Sequence, residues 1–302
     1  MVTLSAVVAA VAVVITGTRE TAVPRVTAEG AALQKVAEGF AFTEGPTSDA
    51  HGNVYFTDQP NDRIMIWTVD GELKTFQQPS GRANGMYFDR KGRLWACADE
   101  TNELRVIDVR TGKHTVAAAG DERGERLNGP NDVWVAPNGA AYFTDPFYQR
   151  PYWPAGTVRR DPQSVFRLSP DRKRLPRVAD DLKQPNGIIG TPDGRTLYVA
   201  DIGAGRTYAY DIAADGSLKN KRLFCEMGSD GMTIDDAGNV YLTGPGVVVF
   251  DRSGKEIERI TVPDERWTAN VCFGGRDRRT LFITAGKGLY TIRMRTRGVG
   301  SP

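Results

Sequence analysis

The sequence predicts an all-β fold: a six-bladed β-propeller with four antiparallel strands per blade and a ring closed by the N-terminal strand. Three observations lead to this prediction. A pair of apolar segments joined by a polar turn recurs six times in the 302 residues, the spacing is regular, and the sixth repeat lacks one strand. Periods of about 40–50 residues with several strands per repeat are typical of propellers.

The second apolar segment of each pair marks the repeat. Successive segment ends are 40, 47, 56, 43 and 41 residues apart, at Thr57, Cys97, Thr144, Ala200, Thr243 and Thr284. The turns before them, such as DAHGN and APNGA, carry Gly where a tight hairpin needs a positive φ. Two further strands, such as RTYAYDI and KRLFCEM, follow each pair. The 33 Gly and 17 Pro also favour an all-β chain with many turns.

The sixth repeat ends after GLYTIRMRT without a fourth strand. We expect residues 33–39, LQKVAEG, to supply it, which joins both ends of the chain in one blade and removes an exposed sheet edge. The propeller domain then spans residues 31–295, followed by a tail at 296–302. The longest spacing holds an insertion at residues 146–164, rich in aromatic residues and Arg, which we expect to roof one end of the central channel.

The N-terminus differs from the repeats. Residues 6–15, AVVAAVAVVI, are apolar but shorter than the roughly 20 residues that span a bilayer. They suit the apolar region of a secretory signal, commonly about 7–15 residues. We therefore interpret residues 1–17 as a signal peptide or apolar N-terminal segment and 18–30 as a linker, and we expect a periplasmic or secreted protein. Because no Lys or Arg precedes the stretch and no A-x-A site follows, an uncleaved segment on a cytoplasmic protein is the alternative.

Composition and motifs exclude several functions. A formal net charge of +2, with Lys and Arg scattered among acids, argues against nucleic-acid binding and leaves a small molecule as the expected partner. The three Cys form no C-x-x-C pair, so we expect buried free thiols. There is no G-x-S-x-G, phosphate-binding loop or H-E-x-x-H motif. Asp58, Asp145 and Asp201, which end second strands, are interpreted as turn and loop formers.

Polar residues recur at one position of the repeat. Counting back thirteen residues from each second-segment end, or fourteen where the turn is one residue longer, gives an acid or an amide every time: Glu44, Asn84, Asn131, Asn186, Asp230 and Asn270. In a propeller the innermost strands line the central channel, so equivalent positions form a ring.

The ring predicts a metal site. Two carboxylates among four amides repel each other unless a cation neutralises them, and oxygen ligands of this mixture suit Ca²⁺ better than Mg²⁺, with another divalent cation left open. The predicted ligands are Glu44, Asn131, Asn186 and Asp230. The alternative is that these residues cap strands and bind the channel backbone, since Asn-Gly pairs are also ordinary turn formers. The predicted substrate contacts are Asn84, Arg126, Asp132, Tyr148, Trp153 and Asn270.

Four motifs in order resemble the senescence-marker-protein/gluconolactonase family. They are FTEGP at residues 42–46, NGPNDV at 128–133, QPNGI at 184–188 and SDGMTIDDAGNVYL at 229–242, and the resemblance extends over roughly residues 33–292. The family comprises calcium-dependent six-bladed propeller hydrolases and is related to diisopropylfluorophosphatase. The resemblance implies that Glu44, Asn131, Asn186 and Asp230 hold a catalytic divalent cation, usually calcium, and that Asp230 is the base or nucleophile.

One position departs from the family pattern. Animal-type members carry an Arg two residues before the Asn matched by Asn131, where this chain has Gly129, with Arg126 nearby.

The expected function is a Ca²⁺-dependent hydrolase of lactones, in which the cation polarises the carbonyl and Asp230 or a water that it activates attacks. The alternatives are a phosphotriesterase-like hydrolase on the same metal and a non-catalytic ligand-binding propeller.

Overall fold

Six four-stranded antiparallel sheets make up the structure, a computed structural model that describes residues 25–263 and 265–299. In the first three sheets the strands, from the channel outward, are β2 (Thr43–Ser48), β3 (Val54–Asp58), β4 (Arg63–Trp67) and β5 (Leu73–Gln77); β6 (Ala83–Phe88), β7 (Leu94–Ala98), β8 (Glu103–Ile107) and β9 (His114–Ala118); and β10 (Val133–Val135), β11 (Ala141–Asp145), β12 (Ser164–Leu168) and β13 (Arg177–Ala179).

The other three sheets repeat this order. Their strands are β14 (Pro185–Gly190), β15 (Thr196–Asp201), β16 (Arg206–Ile212) and β17 (Leu218–Cys225); β18 (Met232–Ile234), β19 (Val240–Gly244), β20 (Gly246–Phe250) and β21 (Glu256–Ile260); and β22 (Thr268–Gly274), β23 (Thr280–Ala285), β24 (Gly288–Arg293) and β1 (Gln34–Glu38). A single 3₁₀ turn, Gln59–Asn61, is the one helical element of the described chain, and none there is long and apolar enough to cross a membrane.

The sheets form a closed ring of six blades. The inner strands contact one another in turn, from β2 through β6, β10, β14 and β18 to β22, which contacts β2 again. The predicted six-bladed propeller is therefore confirmed. Inner and second strands are almost wholly buried, whereas outer strands such as β5 and β9 expose most of their residues. This explains why the second strands read as continuous apolar runs while the outer strands mix charges with apolar residues.

The N-terminal strand closes the ring, as the sequence predicts. β1 pairs antiparallel with β24, from Gln34 opposite Thr291 to Glu38 opposite Gly288. The chain just before β1 is also docked, because Glu258 accepts hydrogen bonds from the backbone amides of Val26 and Thr27. The described end of the predicted linker thus packs on the fifth and sixth blades. The predicted signal segment and the rest of the linker lie outside the described residues.

The apolar core lies between neighbouring blades. Separate clusters of buried side chains fill each interface, and the largest joins the third, fourth and fifth blades around Trp134, Tyr142 and Ile188. The three cysteines, Cys97, Cys225 and Cys272, are buried and free, as predicted. Their burial raises the pKa of each thiol, so they remain protonated and behave as small apolar side chains.

Three aspartates at the ends of second strands fix the start of the inner strands. The Asp145 carboxylate accepts hydrogen bonds from the backbone amides of Asn128 (2.9 Å) and Gly129 (2.8 Å). Asp58 and Asp201 each accept hydrogen bonds from two backbone amides at the equivalent place in their blades. Their interpretation as loop formers is confirmed. These carboxylates replace the backbone partners that the approach to an inner strand lacks.

The two ends of the channel differ. The inner strands begin at an open end, which we call the mouth, and run down to a cavity of about 150 Å³ lined by residues such as Val133, Ile188 and Met232. At the far end the described part of the predicted tail, residues 296–299, packs against the channel: Gly298 donates a hydrogen bond from its amide to the carbonyl of Arg278, and Gly298 and Val299 line the cavity.

Removal of β1 should destabilise the ring. A chain that begins at residue 40 leaves β24 as an unpaired edge, whereas a matched chain that begins at residue 33 keeps the pairing. We expect the shorter chain to melt well below the control, by more than the roughly 2–4 °C expected per kcal/mol in a domain of this size, and to aggregate. Thermal melts and size-exclusion chromatography measure both effects. Equal melting temperatures would show that β1 contributes little to closure.

Candidate active site

The six polar ring positions lie where the inner strands begin. Each falls within, or one or two residues before, the first strand of its blade: Glu44 in β2, Asn84 in β6, Asn131 before β10, Asn186 in β14, Asp230 before β18 and Asn270 in β22. The Asn-Gly pairs at Asn84 and Asn186 therefore belong to strands and not to turns. In four of the six inner strands the pairing register shifts at or next to this position, which interrupts the ladder where the side chains turn toward the channel.

A pocket of about 430 Å³ opens at the mouth. We call it the mouth pocket. Its wall includes five residues that sequence analysis singled out, four from the ring and Tyr148 from the insertion, together with further residues: Glu44, Asn84, Asn131, Asp230, Tyr148, Arg150, Gln59 and Trp267. Its size lies within the range of small-molecule sites, about 300–1,000 Å³. Oxygen-bearing side chains form its floor and aromatic residues stand at its sides.

Asp230 and Asn186 are directly linked. Asn186 donates its Nδ2 to Asp230 Oδ1 (2.9 Å) and to the Tyr148 hydroxyl oxygen (2.8 Å). The indole nitrogen of Trp267 donates to the other oxygen, Asp230 Oδ2 (2.6 Å). The Oδ1 atom of Asn186 is buried and has no hydrogen-bond partner in the described structure. Both oxygens of Asp230 are thus held by hydrogen-bond donors, while the Oδ1 atom of Asn186 is available to another partner.

The two mouth carboxylates have raised pKa values. Burial raises the pKa of Glu44 well above its usual range, and the negative charge of Asp230 raises it further. Burial raises the pKa of Asp230 to about 6, against the opposing effect of the hydrogen bonds from Trp267 and Asn186. Each carboxylate therefore makes ionisation of the other more costly. A positive charge placed between them would remove that cost.

Asp132 and Asn270 lie one layer deeper. Asp132 accepts the backbone amides of Val133 (2.9 Å) and, at 3.4 Å, Ile188, and burial raises its pKa to about 7. Asn270 lines the cavity below, and its amide lowers the pKa of both Glu44 and Asp132 by hydrogen bonding. Neither residue lines the mouth pocket. Their placement suits support of the floor and not the substrate contact that the sequence suggested.

Close approach of the inner strands explains the residues that follow the ring positions. Four ring residues are followed by Gly, and a Cβ atom at Gly85 would lie 2.5 Å from the carbonyl oxygen of Asn131. At Gly231 a Cβ would lie 1.9 Å from the side chain of Asn270. The third blade has Asp132 instead, and its carboxylate lies against Gly85. The glycine on one strand therefore makes the space for the acid on the next.

The insertion at residues 146–164 covers part of the mouth, as expected. It is anchored by the buried Asp99, whose Oδ2 accepts hydrogen bonds from Arg150 Nε (2.6 Å), the Tyr152 hydroxyl (2.7 Å) and Gln59 Nε2 (3.1 Å). We call this covering segment the roof. It brings Tyr148 and Arg150 into the wall of the mouth pocket.

Two predicted substrate contacts lie elsewhere. Trp153 is buried under the roof, donates its indole nitrogen to the carbonyl of Asp99 (2.7 Å) and packs against Phe147. Arg126 stacks on the Trp153 ring and binds Asn102. Neither side chain lines the mouth pocket, because both are used to hold the roof in place.

The structure adds residues that sequence analysis did not single out. Trp267, Arg150 and Gln59 all line the mouth pocket, and Trp267 binds a predicted ligand directly. Trp267 lies three residues before the ring residue Asn270, and Phe42 similarly lies two residues before the ring residue Glu44. Because such positions lead into the inner strands, an aromatic residue just before a ring position was a usable signal.

A metal at this mouth would depend on amide oxygens. Across residues 25–263 and 265–299 no group of three or more His, Cys, Asp or Glu is placed to hold a metal ion. The predicted set contains two carboxylates and two amides, so it is not a site of that type. Such oxygen donors are typical of hard cations and unlike the His and Cys sites of zinc.

Together, the fold and the mouth define a class: a six-bladed propeller with a small-molecule pocket over paired acids at one end of its channel. Residues 42–287 match the family model described as the SMP-30/Gluconolactonase/LRE-like region. The chain belongs to this family, which confirms the resemblance carried by the four motifs.

Relatives are similar over most of their length. A gluconolactonase of Zymomonas mobilis is 30% identical over 295 residues, which cover 88% of this chain and 82% of that protein. The solved structure of a gluconolactonase from Xanthomonas campestris has a TM-score of 0.82 at 30% identity and covers 89% of this chain and 91% of that one. A calcium-binding regucalcin from Agrobacterium tumefaciens shares the fold, with a TM-score of 0.74 at 21% identity over 90% of this chain and 96% of that one.

The stability of the metal-free protein should fall as the pH rises from about 4 to 7. Five buried carboxyls have raised pKa values, namely Glu44 (well above its usual range), Asp99 (raised by burial), Asp132 (about 7), Asp145 (about 7) and Asp230 (about 6). Their unfolded pKa values are about 4, so between pH 4 and 7 the folded chain binds more protons than the unfolded chain. Stability therefore decreases with pH in this window.

Thermal melts in the presence of a chelator measure this slope. Asp230→Asn is the matched control, because it removes one acid and the repulsion on Glu44, and it should flatten the dependence. Asp277, whose pKa is lowered to about 2, titrates below the window and does not contribute. A melting temperature that is constant or rises between pH 4 and 7 would contradict the assignment.

Proposed function

We propose that this protein is a Ca²⁺-dependent hydrolase of lactones, similar to gluconolactonases, with Asp230 as its base or nucleophile. Two relatives at 30% identity, from Zymomonas mobilis and Xanthomonas campestris, are gluconolactonases and align with most of the chain. The mouth pocket supplies a site of suitable size beside a carboxylate of raised pKa. Carboxylates with perturbed pKa values in a cleft are characteristic of catalytic sites.

The observation that carries the metal is the unused oxygen of Asn186. A buried amide oxygen without a partner costs free energy, and the Nδ2 atom of the same amide donates to Asp230. Asp230, Glu44 and Asn131 line the mouth pocket. A cation held by Glu44, Asn131, Asn186 and Asp230 would satisfy the orphaned oxygen and neutralise both acids. The donor set fits Ca²⁺, and another divalent cation is the alternative.

When bound, Ca²⁺ would act as a Lewis acid that polarises the lactone carbonyl. In one route Asp230 would accept a proton from a water that attacks the carbonyl carbon, the acyl C–O bond of the ring would break, and the proton would pass from Asp230 to the ring oxygen to give the open hydroxy acid. In the other route Asp230 would attack the carbon itself, the acyl C–O bond of the ring would break as water protonates the ring oxygen, and the hydroxide left by that water would hydrolyse the mixed anhydride to release the hydroxy acid and restore Asp230. Trp267 and Asn186 hold the two oxygens of Asp230 and so fix its orientation.

Roof and wall residues would orient the substrate. The Tyr148 hydroxyl accepts from Asn186, which leaves its own proton free to be donated into the pocket. Burial and the charge of Asp230 raise the pKa of Tyr148, so it stays protonated and can donate to a lactone oxygen. Asn84 lines the same pocket and offers both a donor and an acceptor.

A substrate panel tests the proposal. Sugar lactones, simple aliphatic lactones and a phosphotriester should be assayed with Ca²⁺ and with chelator, and with Asp230→Asn as a control for background hydrolysis. We expect lactone turnover that chelator abolishes and Ca²⁺ restores. Turnover of the phosphotriester alone would support a phosphotriesterase, and Ca²⁺ binding without turnover would support a ligand-binding propeller.

Asp230 and Asn186 should separate metal binding from catalysis. Asp230→Asn keeps an oxygen ligand but removes a charge and a base, so Ca²⁺ should bind more weakly and still fill the site at saturation. Activity should then remain low, by about 10²-fold or more, the effect of a lost general base. Asn186→Ala removes a neutral ligand, so excess Ca²⁺ should recover much of its activity. Titration calorimetry paired with hydrolysis rates distinguishes the two. Full recovery of Asp230→Asn at high Ca²⁺ would reduce Asp230 to a ligand.

A further inference from the structure

A second depression adjoins the mouth pocket. It has a volume of about 420 Å³ and is lined by Gln59, Pro60, Arg82, Arg150 and Tyr152, among others. We call it the side groove. Gln59, Pro60 and Arg150 belong to both linings, so a ligand that fills the mouth pocket can extend a substituent into the side groove. The two spaces differ in charge, because acids line the first and arginines the second.

Arg150 lies between the mouth pocket and the side groove and has N–H donors that are not used within the described structure. Its Nε binds the buried Asp99 (2.6 Å), and its guanidinium lies 5.5 Å from the Tyr148 ring. Among the described contacts the Nη atoms of Arg150 make no hydrogen bond. The side chain is about a quarter exposed and Arg150 lines both pockets, so these donors can reach a ligand there. A guanidinium fixed through one nitrogen can offer its other nitrogens to a bidentate partner.

Arg82 is held on the other side of the groove. Its backbone has a φ of 50°, an unfavourable value for a residue with a Cβ, and Asp62 Oδ1 accepts its amide at 2.7 Å. The guanidinium stacks on Tyr152, 4.5 Å from the ring centroid, and its Nη1 donates to the carbonyl of Pro60. Its Nε is buried and has no hydrogen-bond partner among the residues that the structure describes.

The side groove therefore carries an excess of positive charge. Its two guanidinium groups face one buried carboxylate, Asp99, which already accepts three hydrogen bonds on one oxygen. Glu100 approaches Arg82 no closer than 3.8 Å and is 43% exposed, so water screens this pair. Unsatisfied guanidinium donors in a partly desolvated groove favour an anion with planar oxygens.

We propose that the side groove binds a carboxylate carried by the substrate, so that the preferred substrates are lactones of sugar diacids, which keep a free carboxylate when the ring closes. This inference rests on the proposed lactone hydrolysis and names its substrate class. The lactone carbonyl lies over the acids of the mouth, and the free carboxylate lies between Arg82 and Arg150.

Two lactones of equal ring size test the proposal. Glucaric acid 1,4-lactone and gluconic acid 1,4-lactone differ in a carboxylate that replaces a hydroxymethyl group. With Ca²⁺ present we expect kcat/KM to be about tenfold or more higher for the anionic lactone, a ratio that corresponds to about 1.4 kcal/mol. The difference should lie mainly in KM, and added salt should reduce it.

Variants connect the ratio to the groove. Arg82→Gln and Arg150→Gln should each move the ratio of the two kcat/KM values toward one. Glu100→Gln removes the carboxylate that lies 3.8 Å from the Arg82 guanidinium and should increase the ratio. Arg110→Gln is the matched control, because the Arg110 side chain is 86% exposed and, within the described part of the chain, its one ion pair is with Asp108 on the second blade. It should leave the ratio unchanged.

The products give a readout that does not depend on turnover. By titration calorimetry glucarate should bind the Ca²⁺-loaded protein more tightly than gluconate, and Arg82→Gln should remove that difference. Equal affinities for the two acids, or a lactone ratio that Arg82→Gln leaves unchanged, would overturn the proposal. Failure to hydrolyse either lactone would instead contradict the proposed function, and the product affinities would still decide whether the side groove selects a carboxylate.

Discussion

The convergence of six inner strands on one axis constrains everything at the mouth. Where the strands begin, the backbones come so close that a Cβ after a ring position would collide with the next strand, as at Gly85 and Gly231. The ring side chains are therefore directed into the channel. Glu44 and Asp230 are buried there near each other, and their raised pKa values follow first from burial, with the charge of Asp230 adding to the shift of Glu44. An acid site is the result of the propeller's geometry as much as of its sequence.

A single carboxylate organises what lies above this floor. One carboxylate oxygen of Asp99 accepts hydrogen bonds from Arg150, Tyr152 and Gln59. The backbone carbonyl of Asp99 accepts a further hydrogen bond from Trp153. This arrangement explains the departure from the animal-type pattern at position 129. A Cβ at Gly129 would lie 3.1 Å from the Trp153 ring, so the roof occupies the space that a side chain there would need. On the roof, Arg150 supplies a guanidinium to the wall of the mouth pocket.

Most of the fold, but only part of the candidate site, could be predicted from the sequence. The repeat period locates the blades and the ring because both depend on a regular backbone, and the strand shared by the chain's two ends follows from counting strands. It does not distinguish Asn84, which lines the mouth pocket, from Asn270, which lies a layer deeper, since both occupy the same repeat position. Trp153 reads as a pocket aromatic, yet it is used to hold the roof. Loop packing of this kind depends on contacts between distant segments that no spacing encodes.

The closure of the ring also determines on which face of the propeller the two ends of the described chain lie. The backbone near Val26 pairs with that of Arg295, and the chain at Gly298 and Val299 packs across the channel end remote from the mouth. Any segment joined before residue 25 or after residue 299 therefore starts on the face opposite the pocket. If the protein is tethered to a surface, a resin or a fusion partner through either end, its mouth points away from the point of attachment and stays open to substrate.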